Sequence, residues 1–318
     1  MNIKITPVPK AVSATVSRTI QRFRRATTVR APGRVSAPRR AVAFTLVELL
    51  VVIAIIAILA AMLLPVFSVA ITHAKKTKAK LECNQIANAI EQYDSRYSRM
   101  PVSSYVQQSG SNNVTYGGIY NSSSAVWPSL GTGWGSGLGG FTTPVGLYIT
   151  NNSDVMAILL NLTNYPNSST FTVNTNYQKN PMQTVFLSAS FSSDTRSPGI
   201  GTDLNYRDPW GNPYIITMDL NEDNKAEDPF YSPITMSSST GAPGGAGFNG
   251  LSAYDPDGIG PDTKYIFHGN VMVWSMGPNG LLNQSPSSFT YNLGTADPDG
   301  HGWVQDGSNK NHILSWAQ

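Results

Sequence analysis

The chain predicts an α+β fold: one long N-terminal α-helix whose second half packs on a small antiparallel β-sheet with long irregular loops. Three observations predict it. An apolar run from Phe44 to Pro65 is continued by a helical stripe as far as Tyr97. After Met100-Pro101 the sequence turns to short β-branched and aromatic runs broken by Gly, Pro, Asn and Asp. The charge is also divided, with only basic residues before the apolar run and mostly acidic ones beyond it.

Residues 1–43 carry Lys4, Lys10, Arg18, Arg22, Arg24, Arg25, Arg30, Arg34, Arg39 and Arg40 and no acid. Ser, Thr, Ala and Pro fill most of the rest, so no apolar face can form. A basic flank before a first membrane span holds that flank on the cytoplasmic side. The other reading of such a run is a basic tail for nucleic acid or lipid. The whole chain has 22 Lys+Arg against 19 Asp+Glu, a net charge of +3. Without residues 1–43 the balance is 12 against 19, about −7, so the pI of 8.9 describes only the uncut chain. That acidic remainder offers no electrostatic basis for binding nucleic acid.

From Leu49 to Leu64 there is no charge, Gly or Pro, only Leu, Ile, Val, Ala and Met. Spanning a bilayer takes roughly 20 apolar residues at ~1.5 Å each, which a helix from Phe44 to about Ile71 supplies if it tolerates Pro65. Glu48 is the exception inside it. A carboxylate in hydrocarbon costs several kcal/mol unless partnered, so an acid there is expected to have a task. A plain anchor would do better with Leu. A removed secretory signal has an apolar core of ~7–15 residues, shorter than this run.

This segment resembles the leader and first helix of type IV pilins and type II secretion pseudopilins. The resemblance implies a pilin-like fold and cleavage by a prepilin peptidase between Ala43 and Phe44, followed by methylation of the new amine on Phe44. Ala43 stands where the family has Gly and is its nearest substitute in size. Glu48 falls on the family's fifth mature position and Pro65 on its Pro at mature position 22. In the family's filaments the acid is thought to meet the N-terminal amine of a neighbouring copy. Opposite charges offset each other's desolvation in low dielectric, which would make Glu48 a register device for assembly. The implied partners are other copies of the chain, minor pseudopilins and the inner-membrane assembly platform.

Beyond Pro65, a basic cluster (Lys75, Lys76, Lys78, Lys80) precedes Ile86, Ile90, Tyr93 and Tyr97, spaced by three and four as the buried stripe of a helix. Met100-Pro101 is expected to end it. The domains are therefore 1–43, a basic leader; 44–100, the membrane and assembly helix; and 101–318, an extracytoplasmic head. Within the head, about 102–144 is rich in Ser, Gly, Asn and Thr and reads as a loop or mobile insertion, which Trp127 and Trp134 would dock. Ser153 to Leu162 reads as a short helix capped by Ser153, and Val185-Phe186-Leu187 as a strand.

Asp208-Pro209-Trp210-Gly211-Asn212-Pro213-Tyr214 joins turn formers to a strand opening at Tyr214. It is similar to the turn before the sheet in the major pseudopilin of type II secretion, which implies an architectural part. Asp219 to Lys225 has acids at odd positions, but Asn224 replaces the EF-hand Gly and Phe230 the twelfth-position acid, so an EF-hand is excluded. A hairpin loop with incidental acids is the expectation. Tyr265–Phe267 and Val271–Ser275 read as two paired strands.

Ser275 to Gly280 and His312 to Trp316 resemble the words that frame the pseudopilin's calcium loop, with Asn279 and His312 where acids are usual. Asp297, Asp299 and Asp306 are the oxygen ligands such a loop would supply, since calcium takes six to eight oxygens. The alternative is solvated turns held by Gly and Pro. His73, His268, His301 and His312 form no H-E-x-x-H, and neither G-x-S-x-G nor a phosphate-binding G-x-x-x-x-G-K-S/T occurs, so no enzyme is expected. Cys83 has no partner cysteine and reads as a small packing residue.

Three functions remain, of which the first two are a structural subunit of a type II secretion pseudopilus, with its N-terminus cytoplasmic and its head periplasmic, and a type IV pilin of a surface filament for adhesion, motility or DNA uptake. A membrane-tethered binding domain that forms no filament is the third.

Overall fold

The computed structural model of the chain describes residues 45–117, 140–143, 146–232, 237, 247, 250–255, 264–280 and 311–316. Contacts divide the chain into two units, Met1–Ala57 and Ile58–Gln318. Helix α1, Leu46–Tyr97, runs through both. In the first unit the described residues are the start of α1, and its large apolar side chains are exposed (Leu46 78%, Ile53 51%).

In the second unit α1 stays exposed through Leu64, Phe67 and Ile71, then acquires a buried face at Ala79, Cys83, Ile86, Ala89, Ile90 and Tyr93. Tyr97 is half-buried at its end. The helix ends where Ser98 takes φ +50°, a left-handed stop three residues short of Pro101. Cys83 packs without solvent exposure, as its type suggests.

The head's main sheet has six strands: β1 (Asn113–Tyr116), β2 (Gly140–Thr143), β3 (Gly146–Ile149), β6 (Ile215–Asp219), β9 (Val271–Ser275) and β10 (Ile313–Leu314), in the order β10-β9-β6-β1-β3-β2. Its pairings are antiparallel except the seam between β1 and β3, which is parallel. Two short hairpins, β4 (Gly199–Ile200) with β5 (Tyr206–Arg207) and β7 (Ser252–Tyr254) with β8 (Lys264–Ile266), stand beside it.

Strand alternation sorts this sheet's residues to two buried faces. Val114, Tyr116, Ile216, Met218 and Val273 share one core with Ile86, Ile90 and Tyr93 of α1. Ile215, Met272 and Trp274 share a second with Phe230, Tyr231 and Tyr265. All five residues of β6 are buried for this reason, so it reads as a continuous rather than an alternating strand.

Four expectations are corrected here. The segment 102–144 is not all loop: α2 (Ser104–Gln108), β1 and β2 lie in it, and β1 occupies the middle of the sheet. Trp127 and Trp134 lie outside the described residues. Val185–Leu187 forms no strand; the Phe186 N–H donates to the Leu159 carbonyl at 2.9 Å. Residues 265–267 and 271–275 do not pair with each other, because β8 pairs with β7 while β9 lies between β6 and β10.

The last correction concerns helix α3, Ser153–Leu159. Ser153 does not cap it: Asn152 holds the cap position and Ser153 Oγ donates to Asn151 Oδ1 at 2.8 Å. The Asn152 side chain instead donates to the carbonyls of Tyr206 (3.1 Å) and Tyr214 (2.9 Å) and accepts from the Tyr206 N–H (2.8 Å). It ties α3 to two strand ends.

Candidate functional site

Two constellations stand where the sequence placed its strongest signals. The first is the start of α1. Thr45 and Glu48 form a reciprocal cap: Glu48 Oε2 accepts from the Thr45 N–H and hydroxyl, each at 2.8 Å, and the Glu48 N–H donates to Thr45 Oγ1 at 3.2 Å. A helix start has orphan N–H donors, and T-x-x-E satisfies two of them at once. The signature is legible in the sequence as Thr45-Leu46-Val47-Glu48. Glu48 is therefore both the sole ionisable residue from Thr45 to Thr72 and a group with a local donor. Ala43 and Phe44 lie outside the described residues. Pro65 sits within helix α1, which continues through it although proline supplies no N–H for the carbonyl four residues back.

The second constellation is the Asp208–Tyr214 turn. Asp208 is fully buried, and its Oδ1 accepts the N–H groups of Trp210 and Asn212, both at 2.9 Å. Its Oδ2 accepts the Ser275 hydroxyl at 2.5 Å and the Asn212 amide at 3.3 Å. The same amide donates to the Gly277 carbonyl at 3.1 Å, so Asp208 and Asn212 pin the turn to the end of β9. Burial pushes the Asp208 carboxyl up, against the pull of Ser275 and the turn's N–H groups. Gly211 has φ +95°, and a Cβ there would stand 2.6 Å from the Arg196 carbonyl, so a side chain is excluded.

Pro209 lies in the turn, and Pro213 bridges back to Arg207. Trp210 is only half-buried; among the described residues the fully buried tryptophan is Trp274. Tyr214 closes the turn onto the helix by donating to Glu82 Oε2 at 2.5 Å. Lys78, at 3.8 Å and on the exposed side of Glu82, adds little. The turn that opens β6 is thus hydrogen-bonded to α1 at Glu82.

Two acids beyond this turn, Asp219 and Asp228, are structural. Asp219 accepts the N–H groups of Asn221 (3.1 Å), Glu222 (3.1 Å) and Asn224 (2.8 Å), so it organises its loop rather than sitting there incidentally. Sequence reasoning missed Asp228 altogether. It is buried and accepts from Thr217 Oγ1 (2.6 Å), Trp274 Nε1 (3.0 Å) and the N–H groups of Phe230 (2.8 Å) and Tyr231 (3.1 Å). Thr217 in turn meets Thr115 of β1 at 2.9 Å, so a polar chain crosses the sheet inside the second core. His312 packs among Phe230, Tyr231 and Trp274, with Nδ1 2.8 Å from the Tyr231 hydroxyl.

Asp297, Asp299 and Asp306 lie outside the described residues. Among the described residues no group of three or more His, Cys, Asp or Glu could hold a metal ion.

Residues 43–64 match the family model described as the prokaryotic N-terminal methylation motif. The match supports a type IV pilin-like prepilin and, with an apolar helix long enough to cross a bilayer, a membrane-anchored protein. Neither the curated proteins nor the solved structures compared with the chain give a match.

Proposed function

From a chain that carries the N-terminal methylation motif, we propose a structural subunit, not an enzyme, of a type II secretion pseudopilus. The prepilin enters the inner membrane with residues 1–43 in the cytoplasm and its head in the periplasm. A prepilin peptidase cuts between Ala43 and Phe44, the new amine is methylated, and subunits then assemble through α1. The single observation that carries this reading is the motif itself, with Glu48 alone in an exposed apolar helix. On assembly the Glu48 carboxylate trades its Thr45 donors for the amine of another copy. Each unlike charge then offsets the other's desolvation.

The Asp208–Tyr214 turn favours the pseudopilus over the alternative, a type IV pilin of a surface filament. Asp297, Asp299 and Asp306 are the proposed calcium ligands, which a calcium titration of the full chain tests. Partners are further copies, minor pseudopilins, the peptidase and the inner-membrane assembly platform.

Mass spectrometry of the mature N-terminus tests the processing: methylated Phe44 is expected, and a retained residue 1–43 segment refutes it. Deletion of the gene separates the two filaments. Loss of protein secretion with no loss of sheared surface fibres is the pseudopilus result, and the converse is the surface-pilin result.

A further inference from the structure

We infer that Lys75, Lys76 and Lys78 form a collar that docks on anionic phospholipid headgroups where α1 leaves the membrane. The inference rests on the membrane-spanning reading of α1 given above. Four of the twelve basic residues beyond position 43 fall within six positions, Lys75, Lys76, Lys78 and Lys80, in a remainder of the chain that is otherwise acidic. Lys75, Lys76 and Lys78 stand between Ile71, the last large exposed apolar residue of the run, and Ala79, the first α1 residue buried in the head.

Side chains on a helix tilt toward its N-terminus, so lysines that follow an N-terminal apolar run aim back at the membrane. Their stems cover apolar surface while the ammonium groups reach the phosphate level. Among the described residues these charges are largely uncompensated. Among the described residues Lys75 makes no ion pair, and Lys78, 54% exposed, has only Glu82 at 3.8 Å. Lys76 donates to a neutral acceptor, Asn311 Oδ1, at 3.3 Å. Lys80, bonded to the Leu314 carbonyl at 2.7 Å, holds α1 to β10 directly above the collar. A lipid surface fits better than the acidic head of another copy, because the collar is continuous with the apolar run on the same helix. Assembly would have to break these headgroup contacts as the helix is withdrawn.

The test is amine labelling of the full chain in nanodiscs with a water-soluble ester, read residue by residue by mass spectrometry. With phosphatidylglycerol in place of half the phosphatidylcholine, Lys75 and Lys78 are expected to label roughly fivefold more slowly. Lys225, in the head, should label alike in both, and the protection should vanish in 1 M salt, where screening is nearly complete. Equal labelling in the two lipids overturns the inference. So does equal protection in phosphatidylcholine on adding inorganic phosphate, which would mean a free-anion site, or protection there that rises with copies per disc, which would mean a second head. A chain that never enters the discs instead refutes the membrane span on which the inference stands.

Discussion

Replacing Asp208 tests whether the turn that resembles the pseudopilin motif is a structural clasp. In Asp208→Ala, the Trp210 and Asn212 N–H groups and the Ser275 hydroxyl lose their acceptor inside a site with no solvent exposure. A buried donor left unmade costs ~1–3 kcal/mol, and the three share one site, so the sum is taken at about 3–5 kcal/mol. For a head of this size each kcal/mol lowers Tm by ~2–4 °C, which gives a drop of roughly 6–20 °C. Asp208→Asn keeps Oδ1 as acceptor and offers an amide to the Ser275 oxygen. It also sets that amide against the Asn212 amide, so about 1–2 kcal/mol is expected. The assay is thermal unfolding of the full chain in detergent, followed by tryptophan fluorescence. An alanine variant within ~0.5 kcal/mol of wild type, the range of neutral surface changes, refutes the clasp. An asparagine variant worse than alanine refutes the assignment of acceptors.

The other predictions concern the helix and one exposed turn. Glu48→Leu is expected to leave membrane-inserted protein at wild-type level and abolish filament assembly, read by fractionation and fibre shearing. Thr45→Val removes the reciprocal cap, at a cost of ~1 kcal/mol to the helix start, seen as faster amide exchange at residues 46–49. Tyr214→Phe takes the hydroxyl from buried Glu82 and should lower stability by ~1–3 kcal/mol; adding Glu82→Leu should recover part of that loss. Asp194 is held down at about 2 by the Ser197 hydroxyl and the N–H groups of Ser197 and Arg196. A lowered carboxylate supports its turn above the unfolded value near 4 and loses that support as pH falls through about 2. Carbon-13 NMR titration of labelled aspartates should find that low value, and Ser197→Ala should raise it.

Much of the candidate site was readable in local pattern. The apolar run with one acid needs only composition and helix rise, and Ile86, Ile90 and Tyr93 follow the helical period onto the buried face. The Asp208–Tyr214 turn is written in residues that favour turns whatever their surroundings. The errors in the sheet share one cause, that strand pairing is a long-range choice. Tyr265–Phe267 and Val271–Ser275 have the composition of a hairpin. β9 nevertheless pairs with β6, fifty-odd residues earlier in sequence, and with β10 near the C-terminus. In the same way β1 takes the centre of the sheet from within a stretch whose composition reads as loop.

By itself the sequence determined the class of the chain, the long helix and its exposed acid, because those depend on hydropathy and spacing within a few turns. Only the tertiary structure decided which distant groups meet: Tyr214 with Glu82, Asp208 with Ser275, and Asp228 with Thr217 and Trp274. A buried polar side chain must find its partner wherever the fold brings one, and no local rule names a residue 11 to 132 positions away.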